Sequence, residues 1–135
     1  MELMQPKEIV RKFIEQINAR NVDELCRLMS ERHRFIDALG AVVEGREQMR
    51  LGWAGYFRMV PDYQISCEEI MEQGDVVAAF GIARGTYCPD GELLAENGWQ
   101  VPAAWRAEVS DGLVSEWRVY TDNEPLRRLM AKADR

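Results

Sequence analysis

The feature that most constrains the fold is a stretch near the carboxyl end, residues 101–122, in which two alternating runs flank a turn. It reads VPAAWRAEVSDGLVSEWRVYTD. Period-two alternation is typical of a strand with one buried face, and Asp-Gly between two such runs predicts a β-hairpin. One face of the first strand is apolar throughout, with Val101, Ala103, Trp105, Ala107 and Val109. The matching side of the second strand is predicted to carry Leu113, Ser115, Trp117, Val119 and Thr121. Other elements must cover this apolar wall.

The periodicity of the apolar residues that precede and follow the hairpin predicts an α+β protein. Apolar residues recur at spacings of three and four in four segments, which we expect to be helices. These are residues 6–20, a short segment from after Asn21 to near Ser30, residues 45–60 and residues 124–131. Alternation predicts three further strands, over residues 32–39, 63–71 and 76–88, followed by a loop over 89–98. With 135 residues, 47% of them apolar, we expect a single domain over residues 1–135.

Composition excludes several classes of partner. The formal net charge of −6 disfavours nucleic acid and anionic membranes, which need a basic surface. The three cysteines, Cys26, Cys67 and Cys88, have no metal-ligand spacing and are odd in number, so we expect reduced thiols and no metal site. The amino-terminal residues contain no apolar run behind a basic stretch, so we expect neither a signal peptide nor a membrane span. The expected location is cytoplasmic.

The strand predicted over residues 76–88 has two contrasting faces. One face is rich in alanine and glycine, and a curved sheet with such residues can leave room for a ligand. The other face carries Phe80 and Ile82, and no predicted helix remains to cover it. We therefore expect a pocket on the first face and a homodimer through the second, convex face.

Three motifs and the order of elements resemble a known family. The motifs are GRE at 45–47, ARGTY at 83–87 and SDGLVSEWRVYTD at 110–122. Over nearly its whole length the chain resembles the SnoaL-like branch of the nuclear transport factor 2-like superfamily. The resemblance implies a cystatin-like α+β roll, in which a cone-shaped, curved mixed β-sheet wraps around a long N-terminal helix. It also implies a pocket at the open end of the cone and a dimer.

The resemblance also assigns candidate site residues. The segment FIDALG at 35–40 lies where ketosteroid isomerases have their catalytic aspartate, so Asp37 matches the general base. Phe13 falls at the position of the oxyanion-hole tyrosine, Trp53 at a pocket tyrosine and Trp105 at a protonated aspartate. Trp105 and Val119 fall where SnoaL-type polyketide cyclases have their catalytic histidine and aspartate.

The scaffold that this resemblance implies also hosts limonene epoxide hydrolases, whose catalytic positions can be compared with this sequence. Their Arg-x-Asp pair falls on Gly81 and Ala83, and their remaining aspartate on Val119. The apolar residues at these positions lack the groups that those hydrolases use.

From these residues we expect cofactor-independent proton transfer, either isomerisation or aldol-type cyclisation. Asp37, beside apolar groups, would remove a proton from carbon next to a carbonyl. The indole N–H of Trp105 and a hydroxyl of Tyr56 or Tyr87 would stabilise the enolate. The residues predicted to contact a small apolar substrate are Phe13, Phe35, Trp53, Tyr56, Tyr87, Trp105, Trp117 and Val119.

Two other interpretations remain open. The chain is alternatively a non-catalytic binding or carrier protein, with Asp37 capping a turn or pairing with Arg34 or Arg46. It is otherwise an adaptor that binds proteins through the convex face. The only histidine, His33, is predicted to lie at the surface between basic neighbours, and Asp122 is predicted to be structural.

Overall fold

The computed structural model of the protein describes residues 4–133, which form a six-stranded sheet and four α-helices. The helices are α1 Pro6–Asn18, α2 Val22–Arg27, α3 Arg46–Met59 and α4 Glu124–Ala133. The strands are β1 Met29–Ile36, β2 Val42–Glu44, β3 Gln64–Gln73, β4 Val76–Thr86, β5 Gly98–Ser110 and β6 Leu113–Thr121. Their order in the sheet is β2-β1-β6-β5-β4-β3, and only the β1/β6 pair is parallel. The predicted α+β fold with a curved mixed sheet is therefore confirmed.

Helix α1 forms because its apolar residues repeat at the helical period and Pro6 occupies its first turn, where no backbone N–H is needed. The apolar stripe, which is fully buried, contains Ile9, Val10, Phe13, Ile14 and Ile17. The helix packs on strands β3 to β6. Asn18 fixes its end to β3, since its amide donates to the Ile65 carbonyl (2.9 Å) and its Oδ1 accepts from the Ile65 N–H (2.8 Å). No described helix is both long and apolar enough to cross a membrane.

The predicted hairpin is present, and the apolar face of β5 is buried along its whole length. Asp111 and Gly112 form its turn with φ of 53° and 78°, which suits a type I′ connection that follows the twist of the strands.

The prediction of which β6 side chains face the core was wrong for the first residues of the strand. Val109 pairs with Val114 and Ala107 pairs with Trp117, so three residues of β6 span two residues of β5. This β-bulge reverses the alternation. Val114, rather than Leu113 and Ser115, consequently lies on the buried side.

Two boundaries around β1 also differ from the sequence prediction. The short helix ends at Arg27, and β1 runs over Met29–Ile36 rather than over residues 32–39. Strand β2 was missed because its three residues are all exposed and too few to show alternation. A tight turn after Ile36 connects the two strands, and Asp37 lies in this turn.

The small residues of β4 serve close packing as well as leaving space. A Cβ on Gly81 would lie 1.9 Å from the Ser66 carbonyl oxygen, where β3 has a bulge, and a Cβ on Gly85 would lie 2.3 Å from a methyl group of Val60. Neither glycine lines the aromatic cavity between α3 and the sheet, whereas Ala83 does. The predicted pocket face is thus divided between strand packing and cavity wall.

We expect Gly81→Ala to destabilise the protein by about 3 kcal/mol, because the β3 backbone would have to move away from the added methyl group. Urea unfolding followed by circular dichroism would measure this loss. Gly52→Ala is the matched control, since Gly52 lies in α3 and its nearest neighbour, Met49 Sδ, would be 3.5 Å from the new Cβ. The control should gain about 0.5–1 kcal/mol. Equal stability of Gly81→Ala and the unchanged protein would contradict this account.

Candidate ligand-binding site

The candidate site is a cavity of about 230 Å³ lined by α3, strands β4 to β6 and the turn after β1. Six aromatic residues form most of its wall, namely Phe35, Trp53, Tyr56, Tyr63, Trp99 and Trp117. Small or aliphatic residues add Ala38, Ala83, Val101, Ala103 and Val119. The polar lining residues are Asp37, Thr121 and Asn123. A mostly apolar enclosure with a few polar groups is typical of a small-molecule site.

The fold brings together six of the nine residues that the sequence singled out. Phe35, Asp37, Trp53, Tyr56, Trp117 and Val119 all line the cavity. The other three lie elsewhere in the core. Phe13 is fully buried with its ring centroid 4.9 Å from that of Trp117, and Trp105 stacks on Trp117 at 6.4 Å. Tyr87 is buried just beyond the end of β4.

Three of these assignments therefore change. Phe13 and Trp105 support the cavity wall from behind Trp117, and the prediction that Trp105 lies beside Asp37 in the cavity is corrected. Tyr87 lies outside the lining as well. The cause is the curvature of the sheet. Residues on one face of a curved strand lie at different depths in the protein, so they do not all reach the same cavity.

Sequence reasoning did not assign Tyr63 and Trp99 to the site. Tyr63 immediately precedes β3, and Trp99 lies near the start of β5, ahead of the predicted hairpin. Their rings are 6.0 Å apart. For Trp99 a signal existed, because the alternation of Val101 and Ala103 extends back to it. Tyr63 had no such signal.

Asp37 combines a turn-capping role with a place in the cavity wall. Its Oδ1 accepts hydrogen bonds from the backbone N–H groups of Leu39 (2.9 Å) and Ala41 (3.0 Å), as in an Asx turn. Within residues 4–133, Oδ2 has no hydrogen-bond partner, and no arginine pairs with this carboxylate. Arg34 instead bonds Glu116. One oxygen thus orients the carboxylate while the other remains available.

Tyr56 and Tyr63 are packed edge to face, with ring centroids 5.0 Å apart and an angle of 90°. Burial raises the pKa of both hydroxyls above the ordinary value of 10, and for Tyr63 the nearby Tyr56 adds to the effect. Both groups therefore stay protonated at physiological pH. Each can donate a hydrogen bond to an oxygen in the cavity.

The four tryptophans carry unpaired indole N–H groups. Within the described residues, the Nε1 atoms of Trp53, Trp99, Trp105 and Trp117 are buried and have no acceptor. Three of these residues line the cavity. A buried donor without a partner costs about 1–3 kcal/mol, so an acceptor that reached these groups would be stabilised.

A second, more open apolar groove of about 260 Å³ lies beside the cavity. It shares Phe35, Trp53 and Tyr56 with the cavity and adds Val43 and Met49 from β2 and α3. These three rings therefore form a partition with apolar space on both sides.

A comparison with families of known proteins identifies the family of this chain. A family model described as a SnoaL-like domain matches residues 10–117, which include most of α1 and most of the sheet. The chain belongs to the SnoaL-like family. No curated protein is significantly similar to it in sequence.

Solved structures similar to this SnoaL-like protein share its fold. A SnoaL-like polyketide cyclase candidate from Jannaschia sp. CCS1 is 26% identical, with a TM-score of 0.74 over 96% of this chain and 91% of that one. IdmH, a polyketide cyclase candidate from Streptomyces antibioticus, is 20% identical, with a TM-score of 0.77 over 95% and 99%. A hypothetical protein of ketosteroid isomerase-like fold from Catenulispora acidiphila, solved with trimethylamine, is 20% identical, with a TM-score of 0.79 over 92% of each chain.

His33 of this SnoaL-like protein is fully buried, so the prediction of a surface histidine was wrong. Its Nδ1 lies 2.7 Å from the Val114 carbonyl oxygen and must donate to it, which leaves Nε2 without a partner among the described residues. Asp122, by contrast, is exposed and its Oδ1 accepts from the Glu124 N–H (2.9 Å), which begins α4. His33 and Asp122 both lie outside the cavity lining.

Burial lowers the pKa of His33 below 6.5, and this effect outweighs the hydrogen bond to Val114. The unfolded chain therefore binds a proton more readily than the folded protein. The contribution to stability is complete above about pH 6.5 and is lost as the pH falls below that value, by at most about 1.4 kcal/mol per pH unit. Urea denaturation between pH 5 and 8 would measure the loss. His33→Asn keeps a donor for Val114 without a titrating group and should flatten the dependence, and an unchanged slope would contradict this origin.

Proposed function

We propose that this SnoaL-like protein binds a small, mostly apolar molecule in the cavity and catalyses cofactor-independent proton transfer, with Asp37 as general base. The observation that carries the proposal is the position of Asp37. It contributes the sole carboxylate of the lining, and its Oδ2 has no hydrogen-bond partner within residues 4–133. A half-exposed carboxylate with an available oxygen beside an apolar cavity can remove a proton from a carbon of a ligand bound there.

In the proposed reaction, Oδ2 of Asp37 takes a proton from the carbon next to a substrate carbonyl. The electron pair of the broken C–H bond moves to form the enolate, whose oxygen accepts hydrogen bonds from the hydroxyls of Tyr56 or Tyr63. Return of the proton from Asp37 to another carbon gives isomerisation. Attack of the enolate carbon on a second carbonyl gives aldol-type cyclisation, in which the new alkoxide takes the proton.

The relatives favour cyclisation or isomerisation over hydrolysis. IdmH and the Jannaschia protein are polyketide cyclase candidates, and the resemblance to ketosteroid isomerases rests on Asp37. The positions at which epoxide hydrolases carry catalytic groups hold Ala83 and Val119 here, and both are part of the apolar lining. Asp37 is therefore the residue on which a reaction would depend.

A non-catalytic carrier is the second candidate function. It is favoured by the two backbone hydrogen bonds to Oδ1 of Asp37, since a turn-capping aspartate needs no catalytic role to explain it. The same cavity would then hold a ligand without changing it.

Asp37→Asn separates these two functions. We expect deuterium exchange of a β,γ-unsaturated cyclohexenone at the carbon next to the carbonyl, followed by NMR in D₂O, to slow by about 10²–10⁴-fold. Ligand binding, followed by tryptophan fluorescence, should persist because asparagine keeps the oxygen that caps the turn. Asp75→Asn is the charge-matched control, because Asp75 is exposed and lies outside the cavity. Unchanged exchange in Asp37→Asn would exclude Asp37 as the base.

Filling the cavity tests its role as the binding site. Ala103→Leu places a larger side chain in the lining and should abolish both the fluorescence change and the exchange. Ala131→Leu is the matched control, because Ala131 is an exposed residue of α4 that lies outside the cavity. Full binding by Ala103→Leu would mean that the ligand sits elsewhere.

We further propose that the protein forms a homodimer through the convex face of the sheet. Phe80, Ala104 and Tyr120 lie in register across β4, β5 and β6, with Phe80 41% and Tyr120 46% exposed. Ile82 and Pro102 pair beside them. Such an apolar stripe is what a two-fold interface requires.

Phe80→Glu tests this proposal, because a charge in the stripe would remain without a partner at the interface. The unchanged protein should sediment as a dimer at micromolar concentration, and the variant as a monomer. Leu51→Glu, on the exposed side of α3, is the control and should leave the dimer intact. A monomer before any substitution would refute the proposed interface.

A further inference from the structure

The cavity wall carries negative charge only. Asp37 is its sole charged side chain, and no lysine, arginine or histidine is among the lining residues. The protein as a whole carries a net charge of −6. Any ligand therefore meets a negative charge in the cavity without a compensating positive one.

The aromatic rings add to this negative potential. The face of an aromatic ring is electron-rich, so it attracts a cation within about 6 Å of its centroid. The rings here are steeply inclined to one another, with angles of 71° between Phe35 and Trp53, 90° between Trp53 and Tyr56 and 90° between Tyr56 and Tyr63. Because six aromatic residues in several orientations line the same cavity, a cation bound there would have rings on more than one side, as in an aromatic cage.

We infer that the ligand carries a positively charged nitrogen, as a quaternary ammonium or a protonated tertiary amine. An anion would be repelled by the Asp37 carboxylate, and a neutral hydrocarbon would give that carboxylate no counter-charge. An alkylated ammonium satisfies both features, because its methyl groups pack on the rings while its charge faces Oδ2 of Asp37. The cavity of about 230 Å³ limits this group to a compact one.

This inference rests on the proposed function, since it names the class of ligand for the same cavity. The two are chemically compatible in one substrate. A positive nitrogen close to the reacting carbon stabilises the negative charge that develops when Asp37 removes the proton. Cation recognition would then lower the barrier of the proposed step.

Choline and its uncharged carbon isostere, 3,3-dimethylbutan-1-ol, provide a matched pair of probes. Isothermal titration calorimetry should show choline binding at least about 10-fold more tightly than the alcohol. Asp37→Asn should remove most of that difference while leaving the affinity for the alcohol unchanged, and Asp75→Asn should change neither. Trp53→Leu should weaken choline binding more than it weakens alcohol binding, since leucine keeps the apolar contact and loses the ring.

The outcomes separate this inference from the proposed function. Equal affinities for the two probes, or binding of the alcohol alone, would overturn the cation inference and leave an apolar binding site. Failure of both probes together with binding of the cyclohexenone would do the same. Failure of the cyclohexenone with tight choline binding that Asp37→Asn weakens would support the cation inference and count against the proposed reaction.

Discussion

Phe13 of α1 contacts Trp117 of β6 at the boundary between the hydrophobic core and the cavity. Their ring centroids are 4.9 Å apart, and Trp105 stacks on Trp117 from β5 at 6.4 Å. Trp117 is 1% exposed and still belongs to the cavity lining, so it is the ring through which the helix supports the site. The position of α1 against the sheet therefore fixes one wall of the cavity. Stability and site geometry depend on the same packed rings.

The cavity exists because the small residues of the strands do not fill the space in front of the large rings of α3. Strands β4 and β5 contribute Ala83 and Ala103, while α3 contributes the rings of Trp53 and Tyr56. Those two rings contact each other at 90° and 6.2 Å, which braces them on their own side. Close packing would require larger residues on the strands. The alanines thus set the volume, and the aromatic pairs keep it from collapsing.

Much of this arrangement could be predicted from the sequence, and the failures have physical causes. The helical period of α1 and the alternation of β5 each report burial of one face, so these parts of the core followed from them, together with Val101 and Ala103 of the cavity wall. Alternation cannot report a bulge, and one extra residue in β6 moved Val114 to the buried side. His33 was placed at the surface because its sequence neighbours are basic, but neighbours on a strand point to the opposite face. Tyr63 reached the cavity through the path of the chain after α3, which no local pattern encodes.

The role of Asp37 follows from how its two oxygens differ. The hydrogen bonds from Leu39 and Ala41 to Oδ1 are a sufficient structural reason for an aspartate at this turn, and they also restrict rotation of the carboxylate. A group held in this way loses little further freedom when a substrate binds, so turn capping contributes to the orientation that a base or a counter-ion needs. The structural and functional explanations of Asp37 are for this reason complementary. The ligand group that lies opposite Oδ2 decides whether this is a catalytic site or a binding site. Because the cavity wall carries negative charge only, it favours a cation in that position.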